Sequence, residues 1–351
     1  MARSKVGRKI VWVGRMTDRA GQKQAFIDQA GWHDSAQTLI AGDASNRSYT
    51  RLTKDDGATA ILMDAPPEKG EDVAPFVQIA QHLTDHALSA PLIYDHDTAA
   101  GFLLIEDLGD DLFARLMTED PTSQIPLYTA AVDSLIALHA APNPPLDPCD
   151  VDWLISMTDT VFDWYAPGDA TAHMAAFETL FRPIATRLDQ SSNVVILRDF
   201  HAENLLWLPD RKGVARVGLL DFQDALLGHP AYDLVSILQD ARRDVDPKIE
   251  RRMIDHYLSQ TGTQRDSFEH AYAALGAQRN LRILGIFARL CLRDSKAHYV
   301  DMIPRVWDYV LRNLGHPALR ELDAFIRDTL PDPTPDFLEH LKNRCATHQN
   351  P

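Results

Sequence analysis

Short β-prone runs dominate the first third of the chain and predict β-strands. The runs QTLIAG (37–42), RSYTRLT (47–53) and ATAILM (58–63) are separated by polar turn residues, and segment 91–110 holds two more such runs. Residues 71–88 instead carry apolar residues at helical spacing. The pattern therefore predicts a five-stranded antiparallel sheet with one inserted helix.

After Gly109 the spacing of the apolar residues becomes helical. Three short β-prone runs, VVIL, NLLWL and VARVGLLDF, return between residues 194 and 222. Helices are predicted at 126–140, 174–188, 231–241, 247–260, 264–291 and 301–328. The order predicts the α+β class, with a small antiparallel β-lobe followed by a larger, mostly helical lobe. Ligands commonly bind in the cleft between two lobes.

The same patterns set the predicted domain boundaries. Residues 17–108 form the N-terminal lobe, residues 109–330 form the C-terminal lobe, and the polar, Pro-rich residues 331–351 form a loosely held tail. Residues 1–16 are basic, and their apolar piece Ile10–Val13 is shorter than the roughly 7–15 residues that a signal peptide needs. We predict that this segment is a disordered or non-native extension.

Composition excludes several classes of partner. The 351 residues carry a net charge of −15, whereas proteins that bind nucleic acid or membranes usually present a basic face. No apolar run approaches the roughly 20 residues of a membrane span. The three cysteines are far apart and form no C-x-x-C motif, so neither a zinc site nor a disulfide framework is predicted. We expect a cytoplasmic protein with reduced thiols and a small-molecule substrate; its oligomeric state stays open.

The stretch LRDFHAENLLWL (197–208) holds an Asp, a His, a Glu and an Asn, and two of these four residues have a suggestive spacing. Asp199 and Asn204 form D-x-x-x-x-N, and Asp221 ends the β-prone run that follows the next turn. Oxygen donors of this kind suit Mg²⁺, which usually takes one or two protein carboxylates and completes its shell with water and phosphate. Phosphoryl transfer needs such a metal and a carboxylate for the hydroxyl proton. The alternative from these residues alone is a hairpin with polar ends.

Three further segments carry weaker signals. The turn in IAGDASNRSYTRL (40–52) could cradle phosphate with its backbone N–H groups, and Arg47 and Arg51 are candidate phosphate contacts. A surface hairpin is the alternative. The apolar strand in GFLLIEDLGD ends at Glu106, where connector backbone could pair with an adenine edge. In HPAYDLVSIL, Asp233 fits the first turn of a helix and could also brace the catalytic loop by hydrogen bonding.

These segments, in this order, resemble the aminoglycoside phosphotransferase-like kinases, which are relatives of the protein kinases. More narrowly, the chain resembles the bacterial N-acetylmuramate/N-acetylglucosamine anomeric kinases of cell-wall recycling. The resemblance covers nearly everything from Leu39 to Leu319. It rests on GDASNRSYTRL, ILMDAPPE, FLLIEDLGD, LRDFHAENLL, LLDFQDALLGHPAYDLVSIL and QRNLRILGIFARL. It implies a bilobal protein-kinase-like fold.

The resemblance also implies a reaction and roles for individual residues. The reaction is ATP-dependent, Mg²⁺-assisted phosphorylation of the anomeric hydroxyl of an N-acetylated amino sugar, in peptidoglycan recycling. Asp199 matches the catalytic Asp, and Asn204 and Asp221 match the residues that hold the metal. The resemblance implies nucleotide contacts at Ser45, Asn46, Glu106 and Leu108. Arg47 is added to them as the candidate phosphate contact named above.

One position departs from the kinase pattern, which places a lysine on the third strand to grip the phosphates. Met63 occupies roughly that place here, so Arg47 or Arg51 substitutes, or binding relies more on metal and backbone. The missing lysine is also the main support for an alternative function, a non-catalytic nucleotide-binding regulator. A protein kinase is disfavoured, because no A-P-E segment follows Asp221.

Substrate specificity is expected to come from the helical lobe. N-acetylmuramate carries a carboxylate, and arginine binds carboxylates bidentately. Arg279 and Arg282 are the candidate substrate contacts, and Arg289, seven positions after Arg282, lies on the same helical face. The alternative for these arginines is that they pair with the chain's many acids. The alternative for the acceptor is an aminoglycoside, a choline-like amine or homoserine.

Overall fold

The computed structural model describes residues 19–40, 46–188 and 193–347. Ser45 and the predicted extension 1–16 therefore lie outside the described residues. The chain divides into two compact units. Unit 1 comprises Met1–Val77 with Leu92–Asp107, and unit 2 comprises Gln78–Pro91 with Leu108–Pro351.

Unit 1 is built on one antiparallel sheet. Its strands, in the spatial order β1-β2-β3-β5-β4, all pair antiparallel, as the sequence predicts. The inserted helix α2 begins in unit 1 and ends in unit 2. The elements are α1 (Arg19–Gln29), β1 (Ala36–Ile40), β2 (Ser48–Thr53), β3 (Thr59–Asp64), α2 (Ala74–Asp85), β4 (Ile93–Asp97) and β5 (Phe102–Glu106).

Alternation along the strands gives this sheet one face that packs against α1. The side chains of that core are Phe26, Ile27, Leu52, Ala60, Leu62, Phe102 and Leu104. Residues at the odd positions of β2 and β3 point to the other face, because successive side chains of a strand alternate. Arg51 is paired there with Ile61, and Met63 is 1% exposed. The place of the expected strand lysine is thus a buried apolar position.

Unit 2 is mostly helical and contains two short strand pairs. β7 (Leu205–Trp207) pairs with β8 (Val217–Leu219), as predicted. β6 (Val194–Ile196) pairs with β9 (Leu226–Gly228), a strand that the sequence pattern does not reveal. The helices are α3 (Phe113–Glu119), α4 (Gln124–Ala140), α5 (Val151–Ser156), α6 (Asp159–Trp164), α7 (Ala170–Thr186), α8 (Ala231–Leu238), α9 (Pro247–Thr261), α10 (Arg265–Leu292), α11 (Ile303–Leu314), α12 (Arg320–Thr329) and α13 (Pro335–Asn343). Across the described ranges, no helix combines the length and the apolar character that crossing a membrane requires.

The segment after Pro331, for which the sequence predicts a loosely held tail, contains helix α13. Phe337 and Leu341 lie four positions apart and therefore share one face of this helix. Leu341 is 3% exposed, and the Phe337 ring packs edge-on against Tyr165 with 5.1 Å between centroids. Beyond α13, the Cys345 Sγ lies 2.7 Å from the Sγ of Cys291 on α10. Apolar contacts thus hold this segment on unit 2.

Helix α10 crosses α6 at a position where only glycine fits. A Cβ added to Gly285 would lie 2.3 Å from the backbone nitrogen of Val161 and 2.3 Å from the carbonyl carbon of Thr160. Backbone atoms cannot swing aside as a flexible side chain can. We therefore expect Gly285→Ala to lower the free energy of unfolding by about 2–3 kcal/mol, the range of overpacked cores, in chemical denaturation.

Gly57→Ala is the control for this substitution. Gly57 has a φ of +86° and no heavy atom within 4 Å of an added Cβ, so the variant tests backbone strain without a clash. We expect a loss of about 1–2 kcal/mol. Equal stability of Gly285→Ala and the wild type would contradict the close crossing of the two helices.

Candidate active site

A tight loop between β6 and β7 presents Asp199. Arg198, the residue before it, has a φ of +69°, a left-handed conformation that is uncommon outside glycine. The Asp199 N–H donates to the Leu197 carbonyl at 2.8 Å, and the His201 N–H donates to the Asp199 carbonyl at 3.1 Å. These short-range bonds curl the loop and leave the Asp199 side chain half-buried.

The side-chain amide of Asn204 connects the two predicted aspartates. Its Nδ2 donates to the Asp199 carbonyl at 2.9 Å and to the Asp221 Oδ2 at 3.4 Å. The Asn204 carbonyl also accepts from the Leu220 N–H at 3.0 Å, which joins this loop to the end of β8. Asp199, Asn204 and Asp221 therefore meet at one place, although Asp221 is 22 positions from Asp199 along the chain.

The donor set at this place fits a hard divalent cation. The Nδ2 of Asn204 is engaged, whereas no donor to its Oδ1 is found within the described part of the chain. Asp221 adopts a left-handed φ of +57° and is exposed, and Gln223 Nε2 donates to its Oδ1 at 2.7 Å. An amide oxygen and a carboxylate are ligands that Mg²⁺ accepts alongside phosphate oxygens and water.

His201 is a functional candidate that the sequence reasoning missed. Its ring is 7% exposed, and its Nε2 lies 3.4 Å from both Asn204 Nδ2 and Arg242. Burial lowers the pKa of His201 to about 4, with a further contribution from the charge of Arg242, so the ring is neutral at pH 7. Its position two residues after Asp199, in D-x-H-x-x-N, was the available signal.

A buried carboxylate holds the start of the catalytic loop. Asp233 is 0% exposed, and its two oxygens accept from the Leu197 N–H at 2.6 Å and from the Arg198 N–H at 2.9 Å. Burial raises the pKa of Asp233 to about 7, although these two hydrogen bonds oppose the rise. The Ser236 hydroxyl donates to the Arg198 carbonyl at 3.2 Å from the same helix, α8.

We expect Asp233→Ala to lower kcat by about 10²-fold, because two freed N–H groups let the loop, and Asp199 with it, move away from its position. Amide hydrogen exchange at Leu197 and Arg198 should become faster in this variant. Asp308→Ala, at an exposed position on α11, is the control and should change neither measurement. Unchanged exchange together with unchanged kcat would show that Asp233 does not hold the loop.

The two predicted substrate arginines lie in different surroundings. Arg279 is 7% exposed, and its guanidinium donates to the Ser236 Oγ at 2.7 Å and lies 3.5 Å from the Arg198 carbonyl. Arg279 therefore supports the backbone beneath Asp199. Arg282, almost one turn further along α10, has a buried Nε with no hydrogen-bond acceptor among the described residues. Their contact with substrate stays a prediction.

In unit 1, the residues at the start of β2 are tied to Glu71. The Asn46 N–H donates to the Glu71 Oε1 at 3.1 Å, and the Arg47 Nε donates to the Glu71 Oε2 at 2.7 Å. The Asn46 side chain also donates to the Lys69 carbonyl at 3.2 Å. Burial alone would lower the pKa of Arg47, but Glu71 raises it. Their proposed contact with phosphate stays a prediction.

The segment after β5 contains the predicted adenine contacts. The Glu106 N–H donates to the Leu92 carbonyl at 2.7 Å, whereas the Leu108 N–H has no acceptor among the described residues. Arg51 forms an ion pair with Asp107, with 2.7 Å between Nε and Oδ2. Leu108 therefore retains a backbone donor of the kind that an adenine edge needs, and this contact also stays a prediction.

The antiparallel sheet of unit 1, the helical unit 2 and the convergence of Asp199, Asn204 and Asp221 define a protein-kinase-like phosphotransferase. The sequence profile of the APH phosphotransferase enzyme family matches residues 36–270, two thirds of the chain. The chain belongs to this phosphotransferase enzyme family. The predicted α+β fold and the predicted small-molecule kinase are thereby confirmed.

Similar proteins agree with this assignment. A Caulobacter vibrioides protein named N-acetylmuramate/N-acetylglucosamine kinase is 40% identical over 90% of this chain and 98% of its own. A Neisseria meningitidis protein of the same name is 31% identical over 78% of this chain and 84% of its own. A solved choline/ethanolamine kinase family protein from Mesorhizobium loti has a TM-score of 0.60 at 14% identity, over 89% of this chain and 99% of that one, and so shares the fold.

Proposed function

We propose that the protein transfers the γ-phosphoryl group of ATP to the anomeric hydroxyl of N-acetylmuramate and N-acetylglucosamine. The single observation that carries the reaction is the Asn204 amide, which joins the backbone of Asp199 to the carboxylate of Asp221. The amino-sugar acceptor is supported by the relatives that bear this name at 40% and 31% identity. The product is a sugar 1-phosphate.

In this proposal the Asp199 carboxylate orients the anomeric hydroxyl and accepts its proton. The sugar oxygen forms a bond to the γ-phosphorus while the bond from that phosphorus to the β–γ bridging oxygen breaks, and ADP leaves. An anomeric hydroxyl is more acidic than other sugar hydroxyls, so a carboxylate is a sufficient base. Most of the catalysis comes from positioning, which the bonds from Asp233 to the loop provide.

The proposed nucleotide site uses ATP with Mg²⁺. Asn204 Oδ1 and the Asp221 carboxylate would hold the metal, which neutralises charge on the phosphate oxygens when bound. In unit 1 the proposed contacts are Asn46, Arg47 and Glu106. The solved amicoumacin kinase hAmiN, in complex with AMP-PNP, Ca²⁺ and Ami, has a TM-score of 0.59 at 14% identity, over 88% of this chain and 100% of that one. That similarity supports the fold on which the proposal rests.

We further propose that the reaction belongs to peptidoglycan recycling and takes place in the cytoplasm. A free amino sugar released from the cell wall would be the acceptor, and a cytoplasmic site has ATP available. The three free cysteines, Cys149, Cys291 and Cys345, are consistent with a reducing compartment.

The test is a panel of acceptors with purified protein and Mg-ATP. ADP release is measured with N-acetylmuramate, N-acetylglucosamine, kanamycin, choline and homoserine, and the phosphorylated position is read by ³¹P NMR and by acid lability. We expect turnover with the two N-acetylated sugars and an acid-labile 1-phosphate. Turnover confined to kanamycin, choline or homoserine would show that the proposed acceptor is wrong. Nucleotide binding without any turnover would favour a non-catalytic nucleotide-binding regulator.

A further inference from the structure

In unit 2, three arginines have a buried guanidinium nitrogen with no partner. The Nε atoms of Arg198, Arg282 and Arg289 are shielded from solvent, and no hydrogen-bond acceptor for them exists within the described ranges. The buried hydroxyl of Tyr232 has no partner either. A buried donor without an acceptor is costly, by about 1–3 kcal/mol each. Four such donors in one region suit a ligand that offers several hydrogen-bond acceptors.

These side chains belong to one region beside the catalytic loop. Arg279, three positions before Arg282 on α10, lies 3.5 Å from the Arg198 carbonyl, so this part of the helix packs beside the loop. The charges of Arg282, Arg279 and Arg198 also oppose the rise that burial causes in the pKa of Tyr232. Burial lowers the pKa of Arg289, and the charge of Arg282 adds to this effect. We call Arg198, Arg282 and Arg289 the arginine cluster. Its first member precedes Asp199 directly in the chain.

Within the described ranges, the arginine cluster forms no ion pair with an acid. Arg198 donates to the backbone carbonyl of Asp224 at 2.9 Å, and Arg282 and Arg289 form no ion pair among the described residues. The charged groups that act on Arg289 from its surroundings are Arg293, Asp294, Arg282 and Asp159. Cations held together in this way, in a chain with 50 acidic and 35 basic residues, indicate an anion site.

An aromatic surface adjoins the cluster. The Arg198 guanidinium lies 5.2 Å from the centre of the Trp153 ring, and the Trp153 and Tyr232 rings meet edge to face at 6.4 Å. Flat aromatic rings next to charged donors suit a ligand with both a sugar ring and an anionic group. The phosphates of ATP are already assigned to the place where Asp221 and Asn204 meet, so the anion at the cluster belongs to the acceptor.

We propose that the arginine cluster binds the lactyl carboxylate of N-acetylmuramate, with Arg282 as the main contact and Arg289 beside it. This inference rests on the proposed function. N-acetylmuramate and N-acetylglucosamine differ only in the lactyl ether, which bears the carboxylate. The cluster therefore sets the preference between the two sugars and leaves the chemistry at Asp199 unchanged.

The experiment compares the two sugars in Arg282→Gln and Arg289→Gln. We expect the KM for N-acetylmuramate to rise about 10–100-fold in Arg282→Gln, the equivalent of a lost charged hydrogen bond of about 1.5–3 kcal/mol. The KM for N-acetylglucosamine and both kcat values should stay within about twofold, and Arg289→Gln should show a smaller rise of the same kind. Arg293→Gln is the matched control, because Arg293 directly follows α10 but already pairs with Asp294 at 2.7 Å.

Two further measurements keep the result decisive. Arg282→Lys keeps the charge but loses the two-pronged guanidinium, so it should recover part of the affinity, and thermal unfolding shows whether each variant folds. An equal KM change for both sugars, or none, would overturn the carboxylate site. If the wild type turned over neither sugar, the proposed function would fail. Calorimetric titration with N-acetylmuramate would then test the site separately. Binding that is as tight in Arg282→Gln as in the wild type would refute it.

Discussion

Asp199→Asn is expected to lower kcat by about 10³-fold, within the range of roughly 10²–10⁴ that general-base groups contribute. The amide is similar in size to the carboxylate, so the hydrogen bonds of the loop backbone to Leu197 and His201 should survive. Only the ability to accept the hydroxyl proton is lost. Steady-state kinetics with saturating ATP and N-acetylglucosamine measure the effect, and the KM for ATP should change little.

The control is Asp210→Asn, which changes an exposed aspartate in the turn after β7 and should leave kcat unaltered. Nucleotide binding by calorimetry should also be the same in Asp199→Asn and the wild type. A kcat for Asp199→Asn close to that of the wild type would show that another group accepts the proton.

The second large effect is expected from Asp221→Asn. This variant should lose about 10²-fold or more in kcat at ordinary Mg²⁺ concentration, because the proposed negative ligand of the metal is gone. The structural cost should be small, since Asp221 is exposed and its bonds to Asn204 and Gln223 are made at the surface of the loop. Titration of activity with Mg²⁺ should show a higher concentration for half-maximal rate.

Asp224→Asn, three residues further along and also exposed, is the matched control. It removes one negative charge from the same loop without touching the Asn204 amide. The same Mg²⁺ dependence in Asp221→Asn and Asp224→Asn would contradict a metal-holding role for Asp221 and would leave only a general electrostatic effect.

The candidate catalytic residues could be predicted from the sequence because their spacing is local. Asp199 and Asn204 belong to one loop, and Asp221 lies two residues after β8, the strand that pairs with the strand after that loop. Short hairpins bring such positions close together, and this closeness depends little on the rest of the fold. His201 belongs to the same loop, but its burial and its contact with Arg242 involve α8 and the residues after it, so spacing alone did not assign it.

Contacts between distant segments were harder to predict. The three residues of β9 carry no periodic pattern, and their pairing with β6 joins segments about 30 positions apart. Helix α13 has an apolar stripe, yet its burial depends on Tyr165, more than 160 positions earlier. Local periodicity records which residues can be buried, whereas the partner that covers them is decided by packing.

The sequence by itself determined the antiparallel sheet, the helical second part and the three candidate oxygen donors, Asp199, Asn204 and Asp221. Residue spacing and turn chemistry act over a few positions and are therefore visible in one chain. Only the tertiary structure decided how the arginines divide. Arg47 pairs with Glu71, and Arg279 lies beneath the loop that carries Asp199. Arg282 keeps a buried donor for which the described residues offer no acceptor. The physical reason is that the role of an arginine depends on the groups around its guanidinium, at the end of a long side chain, and those groups come from distant parts of the chain.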